Sequence, residues 1–322
     1  EQNTMEEGHE QMDYALDQGV NFFDAAELYP IPPKAETQGK TEECIGSWFK
    51  KRGNREKIIL ATKVAGRSPM KWFRGDATKL DRENIEAAVD ASLERLQTDY
   101  IDLYQLHWPD RPMSMFGSGG IGYKHIEAES ISINETLKVL SDLVSKGKIR
   151  YVGLSNETPW GLSEFLKYSE MNNLPKVVSV QNAYNFLNRT YEQGMSEYFH
   201  RSQVGLLAYS PLAQGYLTGK YIDGARPEGA RTTLFERGDR YEVPGANEAI
   251  KSYVAYADSI GMDPSVMANS FVNSRDFVTS NIIGATNMEQ LKLAVGSIEV
   301  SLDEENLKAI ETIHRSNPNL CP

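Results

Sequence analysis

Two hydrophobic periods alternate along this chain. Short apolar runs suited to buried strands are separated by longer stretches with apolar residues at helical spacing. Thr4 followed by Glu7 has the form of a capping box and predicts a helix that ends at Gly19. VNFFD, residues 20–24, predicts a strand. A helix over 42–52 stops at Gly53, and KIILATK then leads to Lys63 as a second strand. From Asp81 a further helix carries Ile85, Val89, Leu93 and Leu96 on one stripe. YIDLYQLHW predicts a strand ending at His107 and Trp108. A helix reaching Gly147 precedes the strand IRYVGLSN, and Pro159 suits the first turn of the next helix. VVSVQN, GLLAYSP and SNIIGA are three more strands, with helical patterns over 246–260, 264–273, 287–296 and 303–314.

A succession of seven strand–helix units predicts an α/β fold, a (β/α)8 TIM barrel, as one domain over residues 1–322. A doubly wound sheet is the alternative, but no strand leads into a GxGxxG turn. Because the sequence opens on a helix, the expected first barrel strand lies upstream of Glu1.

Composition narrows the classes. An apolar content of 40% over 322 residues supports a sizeable core. Forty-five acidic against 34 basic side chains give a net charge of -11, which argues against nucleic acid as partner. The two cysteines, Cys44 and Cys321, make no disulfide framework, and a reducing, cytoplasmic setting is expected. No run is long and apolar enough to span a membrane, and the acidic start does not suit a secretory signal.

Three stretches interrupt the short connections: 30–41, 109–130 with its FGSGGIG, and 222–245. In a barrel all three follow strands and lie over the ligand-binding face; the last has the arginines and the length to act as a phosphate-clamping lid. They read equally as ordinary surface loops.

Four residues stand at or just past strand ends: Asp24, Tyr29, Lys63 and His107. Together they could protonate a carbonyl oxygen as hydride arrives. Taken singly, Asp24 reads as a helix cap, Lys63 as an exposed terminal lysine and Tyr29 as an aromatic plug. His107, at the end of the alternation Ile101, Leu103, Gln105, His107, reads as structural or functional alike. The remaining histidines have no ligand spacing with it, so no metal site is predicted. The absence of GxSxG weighs against a serine nucleophile at Ser155. Trp72, Phe73 and Trp108 are candidate apolar walls for a substrate, with Tyr123 and Phe235 as weaker ones; the WFR stretch could equally cover core.

FFDAAELY, ILATKV and DLYQLHWPD, in this order and spacing, resemble the aldo-keto reductase family, specifically its Tas-like bacterial and potassium-channel β-subunit branches. The resemblance covers nearly the whole chain. It implies that Asp24, Tyr29, Lys63 and His107 are the catalytic tetrad, with Tyr29 as general acid, and that NADPH/NADP+ is the cofactor. The implied reaction is direct hydride transfer from NADPH to a small aldehyde or ketone. The alternative is a slow-turnover NADPH sensor or accessory subunit.

By the same resemblance Ser155, Asn156 and Gln181 would hold the nicotinamide carboxamide, and Tyr209 would stack on its ring. Ser210, Pro211, Leu212 and Gly215 would line the pyrophosphate path. Lys220 would contact phosphate, Arg231 would reach the adenosine side, and Ala285, Thr286 and Gln290 would lie near the 2'-phosphate. The chain departs from the family at Leu293 and Ala294, where Glu and Asn often hold the adenosine; this implies weaker cofactor binding.

Overall fold

The computed structural model describes residues 3–113 and 125–322. The FGSGGIG stretch and Tyr123 lie outside the described residues. The chain divides into two compact units.

The first unit comprises residues 4–113 and 125–181. It opens with α1 (Met5–Asp17), where Thr4 and Glu7 form both bonds of the capping box. β1 (Phe22–Asp24), α2 (Lys40–Arg52), β2 (Ile59–Val64), α3 (Arg82–Leu96) and β3 (Ile101–Leu106) follow. Then come α4 (Ile133–Ser145), β4 (Ile149–Ser155), α5 (Pro159–Asn172) and β5 (Val177–Ala183), which runs two residues past the unit. The strands pair in parallel with their sequence neighbours. β2 is buried after Ile59, which explains its apolar run in place of simple alternation; β3 is buried throughout and keeps the polar Asp102 and Gln105 inside. α4 buries Leu137, Val139, Leu140 and Leu143 on one stripe.

Register positions the polar residues. Lys63 pairs with Gln105, Gln105 with Gly153, and Ser155 with Gln181. A Cβ on Gly153 would lie 3.0 Å from Gln105 Cγ and 2.9 Å from Ser179 Oγ, so the bare glycine leaves room for the glutamine.

The second unit covers residues 182–322 with Asn3. It contains α6 (Met195–Ser202), β6 (Gly205–Tyr209), the short α7 (Arg231–Phe235), α8 (Ala246–Ser259), α9 (Pro264–Asn273), β7 (Val278–Ile282), α10 (Met288–Gly296) and α11 (Glu304–Ser316). β6 and β7 are parallel, with Tyr209 opposite Ile282. Just past β5, the Tyr184 amide donates to Tyr209 O at 3.2 Å. The unit's core includes Phe186 stacked on Tyr253 at 4.4 Å between centroids and Tyr184 stacked on Phe271 at 6.0 Å. Arg189 is neutralised there by Glu192 and Glu311, at 2.8 and 2.9 Å.

Among the described residues the seven strands occur in sheet order β1 to β7, alternating with helices. Sequential parallel order is the topology expected of a (β/α) barrel and differs from the reversing order of a doubly wound sheet.

Candidate active site

The polar centre of the first unit is built at the C-terminal ends of β1, β2 and β3. β-type pairing continues past β1: the Ala25 amide donates to Ala61 O at 2.9 Å and the Glu27 amide to Lys63 O at 3.1 Å. Glu27, itself buried, accepts from the Ala65 amide at 2.8 Å and pairs with Arg74 at 2.7 Å, tying the segment after β1 to that after β2. Tyr29 follows in a turn, its amide donating to Ala26 O and its carbonyl accepting from Gly39 N, each at 3.0 Å.

Lys63 is completely enclosed. Its ammonium donates to Asp24 Oδ2 at 2.5 Å, Ala25 O at 2.8 Å and the Tyr29 hydroxyl at 3.4 Å. Burial alone would push the ammonium toward neutrality, but Asp24 and Tyr29 together outweigh it and raise its pKa above the usual lysine value. Lys63 therefore stays positively charged at neutral pH.

Asp24 has two further donors. Gln105 Nε2 reaches Asp24 Oδ1 at 3.0 Å, and Gln181 Nε2 reaches the same oxygen at 2.9 Å. An ionised carboxylate only accepts, so both glutamines must turn their NH2 groups toward it. Gln181 Nε2 also donates to Gln105 Oε1 at 3.3 Å, which leaves the Gln181 amide oxygen as its outward acceptor. Gln105 is the residue that sequence reasoning passed over. Its signal was present: a polar side chain following Ile101 and Leu103 on the strand face that also carries His107. Gln105→Leu is expected to lower stability by about 1–3 kcal/mol, because a buried carboxylate loses one hydrogen bond; urea denaturation checks this.

His107 is pinned through its backbone. Its amide donates to Val64 O at 2.9 Å and its carbonyl accepts from Asn156 Nδ2 at 2.8 Å. The ring meets Tyr29 edge-on, with centroids 5.5 Å apart. Burial first, and then the Lys63 charge, depress its pKa well below the usual histidine value, so the imidazole is neutral near pH 7. Its buried Nδ1 has no partner among the described residues.

Ser155 Oγ donates to Gln181 O at 2.8 Å and accepts from Asn156 Nδ2 at 3.2 Å. With its proton so directed, Ser155 can serve a ligand only as an acceptor. The Ser155 hydroxyl and the Gln181 amide oxygen thus offer two acceptors to a primary amide, a pair that fits the NH2 of a nicotinamide carboxamide.

The aromatic candidates separate. Trp72 is 41% exposed and stacks on Phe73 with centroids 5.8 Å apart. Trp108 is 6% exposed, and its indole donates to Arg67 O at 2.9 Å. It lines a cavity of about 260 Å³ together with Leu106, Leu154, Ser155 and Phe165.

In the second unit, Tyr209 ends β6, and Arg240 Nη1 donates to its hydroxyl at 3.4 Å. Ser210 has a φ of 56°, and its carbonyl accepts from Asn185 Nδ2 at 2.9 Å. Pro211 is buried and Leu212 half-buried beyond it. Gly215 has a φ of 97°, and a Cβ there would lie 3.0 Å from Lys220 Nζ; the missing side chain leaves room for that cation. A glycine beside an ammonium is a donor set that fits a phosphate group. Arg231 begins α7 within the segment read as a lid, and Phe235 ends that helix. Ala285 is half-buried, while Thr286 donates through its amide and hydroxyl to Gln290 Oε1, both at 3.1 Å. Leu293 is 38% exposed and Ala294 is buried.

Residues 1–315 match the aldo/keto reductase family. The chain belongs to the aldo-keto reductase family. Its fold class is accordingly the (β/α)8 barrel of that family, whose members in general use NAD(P)H for carbonyl reduction. The chain is 47% identical to the protein Tas of Escherichia coli over 318 residues, 98% of this chain and 91% of that protein. It is 32% identical to the uncharacterized oxidoreductase YrpG of Bacillus subtilis, over 94% of this chain and 85% of YrpG. It is also 28% identical to a putative voltage-gated potassium channel subunit beta of Schizosaccharomyces pombe, over 95% of this chain and 79% of that protein. Family and oxidoreductase-named relatives support an oxidoreductase. Among the described residues, no helix is long and apolar enough to cross a membrane.

Proposed function

We propose that this protein reduces a small aldehyde or ketone to an alcohol, with NADPH as hydride donor and Tyr29 as general acid. The observation that carries the reading is the enclosed Lys63 ammonium, fixed on Asp24 and 3.4 Å from the Tyr29 hydroxyl. A phenol that gives its proton to a nascent alkoxide acquires negative charge, and the enclosed ammonium stabilises that charge at short range. Asp24, held by Gln105 and Gln181, keeps the ammonium in place. His107, neutral and fixed through its backbone, orients the carbonyl oxygen.

NADPH, when bound, supplies the hydride. Ser155 and Gln181 accept from its carboxamide, with Asn156 supporting them through its bonds to Ser155 and the His107 carbonyl. Tyr209 offers the stacking face; Ser210, Pro211, Leu212, Gly215 and Lys220 serve the pyrophosphate. Arg231, Ala285, Thr286 and Gln290 serve the adenosine end. Trp72, Phe73 and Trp108 are the proposed apolar contacts of the substrate, and a cytoplasmic setting suits this chemistry.

Stopped-flow fluorescence with NADPH and then NADH, followed by single-turnover reactions with a carbonyl panel, tests the proposal. Tight NADPH binding and rapid oxidation by an aldehyde are expected. Tight binding without oxidation would sink the enzyme reading and favour a sensor or accessory role, toward which the likeness to the channel-subunit relative points.

The neutral imidazole carries its own prediction. With its pKa depressed, His107 does not change charge as the pH passes through the ordinary histidine range, so kcat/KM should show no titration between about pH 6 and 8 from this residue. A limb centred near the ordinary value that vanishes in His107→Gln would refute the assignment.

A further inference from the structure

Arg240 is a half-buried cation that pairs with neither of the acids flanking it in sequence, Asp239 and Glu242. Its Nη1 donates to the Tyr209 hydroxyl at 3.4 Å, its guanidinium lies 5.9 Å from the Tyr241 ring centroid, and its buried Nε has no partner among the described residues. It forms no ion pair among the described residues. Arg189, in the same unit, is matched to two carboxylates at 2.8 and 2.9 Å. The groups that act most strongly on Arg240 are Tyr209, Tyr241 and Cys321. Burial pushes the Tyr241 phenol up, and burial pushes the Cys321 thiol up to about 12, so neither supplies a counter-charge near pH 7. A guanidinium does not deprotonate in proteins, so the positive charge persists behind Tyr209.

We infer that Arg240 biases the bound cofactor toward its reduced form, because an uncompensated cation at the rim of Tyr209 disfavours a positively charged nicotinamide ring over the neutral reduced one. The inference rests on the reading that Tyr209 stacks against the nicotinamide. A guanidinium bonded to the tyrosine hydroxyl lies roughly 8 Å from a ring stacked on that tyrosine; at an effective dielectric near 20, unit charges at that distance repel enough for a preference of tenfold or more. Arg240 thus acts as a positioning residue for Tyr209 and as a fixed charge that favours release of the oxidised product.

Equilibrium titration of the intact protein with NADPH and with NADP+ tests this. Replacing the charge in Arg240→Met should lower the ratio of Kd for NADP+ to Kd for NADPH by about tenfold. Arg240→Lys, which keeps the charge, should preserve the ratio. If the methionine variant fails to fold, Arg240→Gln retains a donor to Tyr209 without the charge and reads the same ratio. Equal weakening of both forms in the uncharged variant would reduce Arg240 to a prop for Tyr209 and overturn the inference while leaving the reductase reading intact. If the wild-type protein bound neither form, the cofactor reading would fall, and this inference with it.

Discussion

Replacing Tyr29 by phenylalanine is expected to slow single-turnover reduction roughly 100- to 10,000-fold while NADPH still binds. The substitution removes only the hydroxyl. The ring keeps its edge-on contact with His107 and its place over Lys63, whose Nζ lies 4.8 Å from the ring centroid. Folding and cofactor affinity should therefore change little, because the backbone bonds of Tyr29 to Ala26 and Gly39 do not involve the hydroxyl. What disappears is the proton donor 3.4 Å from the ammonium. Stopped-flow measurement separates the two consequences, since binding is read before a carbonyl is added. Turnover within about tenfold of wild type would place the acid elsewhere, because general acid catalysis is worth more than that.

The strands that carry this chemistry were legible for a physical reason. A parallel strand covered on both faces reads as a continuous apolar run, and a charged residue that ends such a run stands out; Lys63 after IILAT is the clearest case. Helix starts were equally plain at Thr4, Asp81 and Pro159, where capping chemistry is local in sequence. Boundaries set by tertiary contact were harder. SNIIGA placed the last strand over 280–285, whereas pairing with β6 makes it Val278–Ile282. The two adjacent isoleucines drew the assignment toward the C-terminal side. The segment over 222–245 read as open loop, yet it holds the short helix Arg231–Phe235. Gln105 and Arg240 went unassigned because their roles depend on partners far along the chain: Asp24 for the first, Tyr209 for the second. No local pattern announces such a bond.

Replacing Lys63 by methionine should cost about 3–5 kcal/mol of stability, because it strands the Asp24 carboxylate in the interior. Gln105 and Gln181 would still donate to Asp24 Oδ1, but amide donors do not neutralise a charge. Adding Asp24→Asn to Lys63→Met should recover a sizeable part of that loss, since the double variant has no buried ion left to solvate. Both should abolish reduction, so stability and activity will diverge between them. Lys63 also fixes where the effect depends on pH. Its folded-state pKa is raised above the ordinary value of 10.5, so its contribution is fully present below that pH and disappears only as pH rises through the raised value. Urea midpoints for wild type and Lys63→Met should therefore differ by a constant amount across neutral pH and converge only in strong alkali. If the double variant is no more stable than Lys63→Met, the stranded carboxylate is not the source of the loss, and the lysine stem's packing against its enclosed surroundings would have to account for it.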